Sequence, residues 1–201
     1  MGNILPIVEG QSEVISMPIL IRRILAQIEC YSLGVVKPYR VKRNKVIREE
    51  QLENVVKIGL NDREDICAIM VILDADDDCP HELSPALLNR LKKVTDLPVS
   101  VIIAKNELEC WFLGAKESLR GIRGIKTDAI SPQNPEDING KGGIKRNLII
   151  GGYYNEVDDQ PAFADRFDIN QAALKCPSLN RFINKLHSLA AECAPATANN
   201  H

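Results

Sequence analysis

Aromatic residues make up only 4% of this 201-residue chain. So sparse a set argues against an extended stacking platform for single-stranded nucleic acid, and it leaves Ile, Leu and Val to build the core. Charge of one sign is also missing. The formal net charge is -2, so any contact with nucleic acid must come from a local basic surface. No apolar run approaches the ~20 residues needed to span a bilayer. The opening MGNILPIVEG has no basic segment followed by a long apolar stretch, which is unlike a secretory signal. Pro6 stands where a myristoylation pattern needs Ser or Thr. The six cysteines form no CxxC pair and no Cys/His zinc spacing, so they read as reduced thiols, several of them buried. A cytoplasmic protein with no membrane association is expected. There is no GxxxxGK[ST] phosphate loop and no internal repeat.

What is present is an ordinary globular composition, 45% hydrophobic and 26% charged. It predicts one domain over 1–193, with a patternless tail at 194–201 expected to be disordered. Apolar runs at 4–8, 35–41, 69–73 and 99–104 predict strands, with Pro6 tolerable near a strand start or on an edge. Between them, apolar residues recur at helical spacing. Met17, Leu20, Ile21, Ile24, Leu25 and Ile28 form one stripe, with Ser12 as candidate cap and Pro18 confined to the first turns. Further helices are predicted at 49–60 and 84–94. Glycines and prolines make 115–145 read as a long loop insertion. A short helix at 144–151 and C-terminal helices at 162–174 and 179–191 follow. The alternation predicts an α/β fold: a mostly parallel sheet of four or more strands, helices on both faces, and a helical C-terminal region.

The chemistry-bearing stretch is AIMVILDADDDCP, residues 68–80. A strand buried on both faces breaks into Asp74, Asp76, Asp77 and Asp78. Carboxylates this dense repel in a low-dielectric crevice unless something positive sits among them, and hard divalent cations take oxygen ligands. Two other strand ends also deliver acids: Glu9, and the pair Glu107/Glu109. Parallel strands bring all three ends to one edge, where open α/β sheets bind ligands. Two residues apart on a helix, Glu107 and Glu109 would point ~200° apart; Glu109, beside Trp111-Phe112, is the favoured partner. Such a set suits metal-assisted attack on a phosphodiester, with a carboxyl outside the metal shell moving the proton. Lys37, Arg40, Lys42, Arg43, Lys45 and Arg48 form a basic stretch that either meets phosphates or is a solvated loop balanced by Glu49, Glu50 and Glu53. His81 reads as surface, Cys79 and Cys110 as small buried residues, Trp111 as core, and Tyr153 and Tyr154 as packing.

The order of VEGQSE (8–13) and LDAD (73–76) resembles the Toprim domain of topoisomerases, primases and OLD-family nucleases. The chain is more closely similar to the Toprim-like proteins of domain-of-unknown-function family 4276. That likeness runs over nearly its whole length, through VILDADDD, ELECWFL, the segment at Lys141–Lys145 and LKCPSLNRF. The resemblance implies that Glu9 is a general acid/base or metal ligand and that Asp74 and Asp76 are ligands of one or two Mg2+ or Mn2+ ions. Glu13 and Glu109 would be accessory acids. Arg40, Lys42, Arg43, Lys141 and Lys145 are the candidate phosphate contacts. DNA or RNA is the implied substrate, with a role in defence against phage or other mobile DNA. Without a tyrosine nucleophile domain, water is the expected nucleophile. The competing reading is a non-catalytic module partnering a separately encoded ATPase; a homo-oligomer is left open. A haloacid-dehalogenase-like phosphatase is disfavoured, because Asp78 stands where DxDx[TV] needs Thr or Val and the motif falls on a later strand.

Overall fold

Successive side chains of a strand point to opposite faces, and one strand divides this molecule into two cores. In β4 (Ile66–Asp74), Ala68, Met70 and Ile72 enter one core while Ile69, Val71 and Leu73 enter the other. The computed structural model describes residues 2–76 and 78–193. Asp77 and the tail 194–201 lie outside them.

β4 lies between β1 (Gly2–Val8) and β5 (Val99–Ala104), and β2 (Leu33–Val35) lies beyond β1. A two-residue strand, β3 (Tyr39–Arg40), also pairs with β1. Every pairing is parallel, so all strand ends reach one edge. One face is covered by α1 (Glu13–Gln27), α5 (Glu109–Leu113), α7 (Glu156–Arg166), α8 (Ile169–Ala173) and α9 (Pro177–Cys193). The other is covered by α3 (Gln51–Asp62) and α4 (Pro80–Leu91). The short α2 (Arg43–Val46) crosses above the strand ends, and α6 (Gly140–Arg146) packs against α5. This is the expected α/β architecture. Among the described residues, no helix is long and apolar enough to cross a membrane.

Several local expectations are corrected. The strand expected at 35–41 is two strands, broken around Pro38. The break accommodates Pro6, which lies in a central strand rather than on an edge. Ile4 and Val8 both accept bonds from this side, from Val36 N (3.1 Å) and Val41 N (2.8 Å). Pro6 has the same parity, so its ring nitrogen faces the gap between β2 and β3, where no ladder donor is needed. The helix expected at 84–94 begins earlier, with Pro80 in its first turn, where a missing N–H costs nothing.

The segment 115–145, expected as a long loop, is partly ordered. It forms three 3-10 turns and most of α6, and it buries Leu119, Ile125, Ala129 and Ile144. Side chains supply the bonds a ladder would have supplied: Lys116 N donates to Ser131 Oγ (2.8 Å), and Arg120 Nε donates to Ala129 O (2.9 Å). The helix expected at 144–151 lies instead at Gly140–Arg146. The one expected at 162–174 is split into α7 and α8, where Asp168 caps α8 by accepting from Gln171 N (2.9 Å).

Candidate active site

The carboxyl ends of β1, β4 and β5 deliver Glu9, Asp74 and the Glu107–Glu109 turn to the same edge. Hydrogen bonds knit these ends together. Leu108 N donates to Asp74 Oδ1 (2.9 Å), tying the third strand end to the second. Glu9 N (3.1 Å) and Gly10 N (3.2 Å) both donate to Glu13 Oε2, so the first residue of α1 folds back over the turn that precedes it. Ser12 makes no side-chain cap here; its backbone is already helical, and Glu13 occupies the turn.

The acids form a graded set. Burial pushes the Glu13 carboxyl up to about 7; the two backbone donors oppose this, and the charges of Glu109 and Glu9 add to it. Burial raises Asp74 well above the usual carboxylate range, reinforced by Glu13, Glu109 and Glu9. Glu109 is also raised by burial, with Lys141 opposing. Glu9 is raised by burial and by Asp76, against Arg43, Lys141 and Arg40. Glu9 therefore feels both the inner acids and Asp76 at the rim. Among the described residues, its Oε2 is the one buried side-chain polar atom that finds no hydrogen-bond partner.

The expected cations divide. Arg43 is turned inward: its guanidinium donates to Asp74 O (2.9 Å), to Ala75 O (3.1 Å) and to the Asp78 carboxylate. It clamps the acidic loop through both terminal nitrogens of the guanidinium. Arg40 clamps the neighbouring turn through Glu9 O (2.9 Å) and Gln11 Oε1 (3.2 Å), yet stays exposed. Lys141 opens α6 at the site. Its Nζ lies 3.3 Å from Glu156 Oε2 and 3.8 Å from Glu107 Oε1, and its backbone N donates to Glu107 Oε2 (2.9 Å). Burial acts to lower the Lys141 ammonium, but Glu109, Glu156 and Glu107 outweigh it and hold it raised. Lys42 lines a separate cleft with Arg40 and Lys45, and Lys145 is exposed in the last turn of α6.

Glu107 precedes the helix, so the expectation that only one of Glu107 and Glu109 faces the site does not hold. Asn106 adopts a left-handed φ of 61° and turns the chain, which leaves both carboxylates acting on Lys141. Asp76 is likewise left-handed, with φ 48°, and exposed. Residues outside glycine rarely adopt such φ, and functional sites are where they cluster. Asp76, Asn106, Glu107 and Asn139 line an open cleft of about 460 Å³.

The donor set is of the kind that suits Mg2+ or Mn2+: hard carboxylate oxygens, one of them buried without a partner. The side chains as posed do not form a closed cage. Among the described residues, no three of His, Cys, Asp and Glu are gathered so that they could hold one ion. Mg2+ does not require such a cage, since it is commonly bound by one or two carboxylates, with waters and substrate phosphates completing the octahedron. Glu9 with Asp74 or Asp76 is a set of that size.

Three contributors came without a signal in the sequence. Tyr154, expected only to pack, is buried and donates to Glu109 Oε1 (2.9 Å). Gln160 Nε2 approaches the same oxygen at 3.4 Å, and Ser16 Oγ donates to Gln160 Oε1 (2.7 Å). Tyr153, also expected to pack, is 81% exposed, and Cys79, expected to be buried, is exposed. Cys110 and Trp111 are buried as expected, Trp111 donating to Ser178 Oγ (2.7 Å); His81 is exposed.

These site residues, from Glu9 to Gln160, fall inside one stretch that a family model matches, residues 8–187. The chain belongs to the family described as Domain of unknown function (DUF4276). The DUF4276 match takes in all five strand ends, the acidic turn, the Glu109 block and the helical layer behind it. No curated protein and no solved structure matches the chain.

Proposed function

We propose that this DUF4276 protein is a divalent-metal-dependent phosphodiesterase of Toprim type that acts on nucleic acid. The observation that carries the reading is Glu9 Oε2. Leaving a buried carboxylate oxygen without a partner costs free energy. Here it is held among Asp74, Asp76 and Glu13, at the edge where parallel sheets bind ligands. Glu9, Asp74 and Asp76 would hold Mg2+ or Mn2+, which when bound would polarise the phosphoryl oxygen and ease charge on the attacking and leaving oxygens. Glu13, its carboxyl pushed up to about 7, keeps a proton near neutral pH and is suited to proton transfer. Exposed Arg40 and half-buried Lys141, which lies among the acids, would meet phosphates; Arg43 keeps the acidic loop in shape. Water serves as nucleophile. A setting in defence against mobile DNA rests on the Toprim resemblance.

One observation favours the second reading, a non-catalytic module beside an ATPase: no three ligating side chains are gathered as posed among the described residues. Incubation of plasmid and single-stranded DNA with the protein and Mn2+ separates the two. The nuclease reading expects cleavage that falls to background in Asp74→Ala and in Glu9→Gln, with calorimetric Mn2+ binding lost in parallel. Absence of both cleavage and metal binding, with and without an ATPase partner, would overturn it. Co-purification with an ATPase that is unchanged in both variants would favour the module.

A further inference from the structure

A chain of buried polar groups runs behind Glu109, inside the core of this face. Glu109, Tyr154, Gln160 and Ser16 are each at most 3% exposed, and they come from four separate places: the start of α5, the turn before α7, the middle of α7, and α1. Polar side chains brought together so deep need a hydrogen-bonding reason. Both bonds that reach Glu109 land on the same oxygen, Oε1: the Tyr154 hydroxyl at 2.9 Å and the Gln160 amide at 3.4 Å. The Ser16 hydroxyl donates to Gln160 Oε1, which turns the amide so that its NH2 end faces the carboxyl. Tyr154 is itself held against Phe163, with ring planes within 5° and centroids 6.1 Å apart.

We propose that Tyr154 and Gln160 are positioning residues. They anchor Oε1 of Glu109 and thereby present Oε2 to the catalytic edge, with Ser16 fixing the amide of Gln160 in its donating orientation. This rests on the phosphodiesterase reading and deepens it: α7, which packs against α1 on this face of the sheet, also sets the geometry of an acid at the strand ends. Both anchors are neutral donors. They fix the carboxyl's orientation without adding a further charge beside it. The Tyr154 hydroxyl, pushed up by burial and by Glu109, stays a donor throughout the working pH range.

Tyr154→Phe deletes one hydroxyl and keeps the ring. Kinetics with Mn2+ and a DNA substrate are expected to show kcat lowered about tenfold and KM within about twofold, the pattern of a lost transition-state alignment. In a Glu109→Gln background the same substitution is expected to cost nothing further, which a general packing defect would not reproduce. The second readout needs no activity. The side-chain carboxyl 13C resonance of Glu109, identified by its loss in Glu109→Gln, is expected to move in Tyr154→Phe and in Gln160→Leu. If wild type cleaves nothing, the nuclease reading fails while a moved resonance still supports the anchor. An unmoved resonance, or equal losses in the wild-type and Glu109→Gln backgrounds, overturns the proposal.

Discussion

At the scale of single residues, the site departs from what stability alone would select. Glu9 keeps a buried oxygen without a partner, and Asp76 and Asn106 hold left-handed backbones at the rim of the cleft. Replacing the Glu9 carboxylate by a neutral amide removes charge repulsion from Asp76 and Asp74 and gives the site a donor. Glu9→Gln is therefore expected to stabilise the metal-free protein by about 1 kcal/mol, a rise of roughly 2–4 °C in Tm for a chain of this size. The gain should come with loss of any Mn2+-induced shift. Scanning calorimetry with chelator and with Mn2+ checks this; a fall in metal-free Tm would mean that Glu9 serves the fold. What was readable from the sequence is the placement of Glu9, Asp74 and the Glu107–Glu109 turn at strand ends. Ser16, Tyr154 and Gln160 gave no signal, because Tyr154 and Gln160 meet Glu109 across 45 and 51 positions of chain and Ser16 meets Gln160 across 144, and no spacing rule reaches that far.

At the scale of elements, α6 is the piece whose placement matters most to the site, and a glycine lets it approach. A Cβ at Gly140 would meet Glu109 Cβ at 2.9 Å, Cys110 N at 3.0 Å and Glu107 Oε2 at 3.1 Å. Backbone cannot yield as a side-chain tip can. Gly140→Ala is expected to push α6 off α5, destabilise by about 1–3 kcal/mol, and weaken phosphate-dependent binding by moving Lys141. Thermal melts together with a salt titration of DNA affinity test it; unchanged values in both would show that α6 has room to shift. The caps around this region went unread, and the one cap expected, Ser12, makes no cap bond. Asn139 accepts from Gly142 N, Asn155 accepts from Val157 N (3.2 Å), and Asp168 accepts from Gln171 N (2.9 Å), so the helices start at places that apolar spacing alone does not mark. The glycines and prolines of 115–145 pointed toward loop, because the side-chain bonds that order the segment connect residues 9 to 15 apart and leave no periodicity.

For the whole molecule, the acidic edge should set how stability varies with pH. Glu13 goes from an ordinary 4.5 to about 7 on folding. Between those values the folded protein holds a proton that the unfolded chain has released, so stability falls as pH rises across the window and levels off above it. Asp74, Glu9 and Glu109 are raised too and act in the same direction. Glu117 works oppositely at lower pH: burial raises it, but the Ser131 hydroxyl and backbone N outweigh that and hold it at about 2, so its stabilisation is present above 4.5 and is lost as pH falls toward 2. Metal-free Tm is thus expected to peak near pH 5 and to be several degrees lower at pH 7.5, with Mn2+ offsetting the loss by favouring the ionised acids. A Tm that is flat between pH 5 and 7.5 would mean that these carboxyls are not held neutral.

The sequence by itself determined the layered architecture, because side-chain alternation and helical spacing are local rules that each segment states independently. It also determined that three acidic strand ends share an edge, because parallel pairing leaves no other arrangement. Only the tertiary structure decided how the charges are allotted. It turned Arg43 inward as a clamp, left Arg40 and Lys141 at the mouth, brought Glu107 in beside Glu109 through the turn at Asn106, and set Tyr154 and Gln160 behind Glu109. Those outcomes depend on which donors are already satisfied and on how deeply each carboxyl is desolvated, and both are fixed only when distant segments pack.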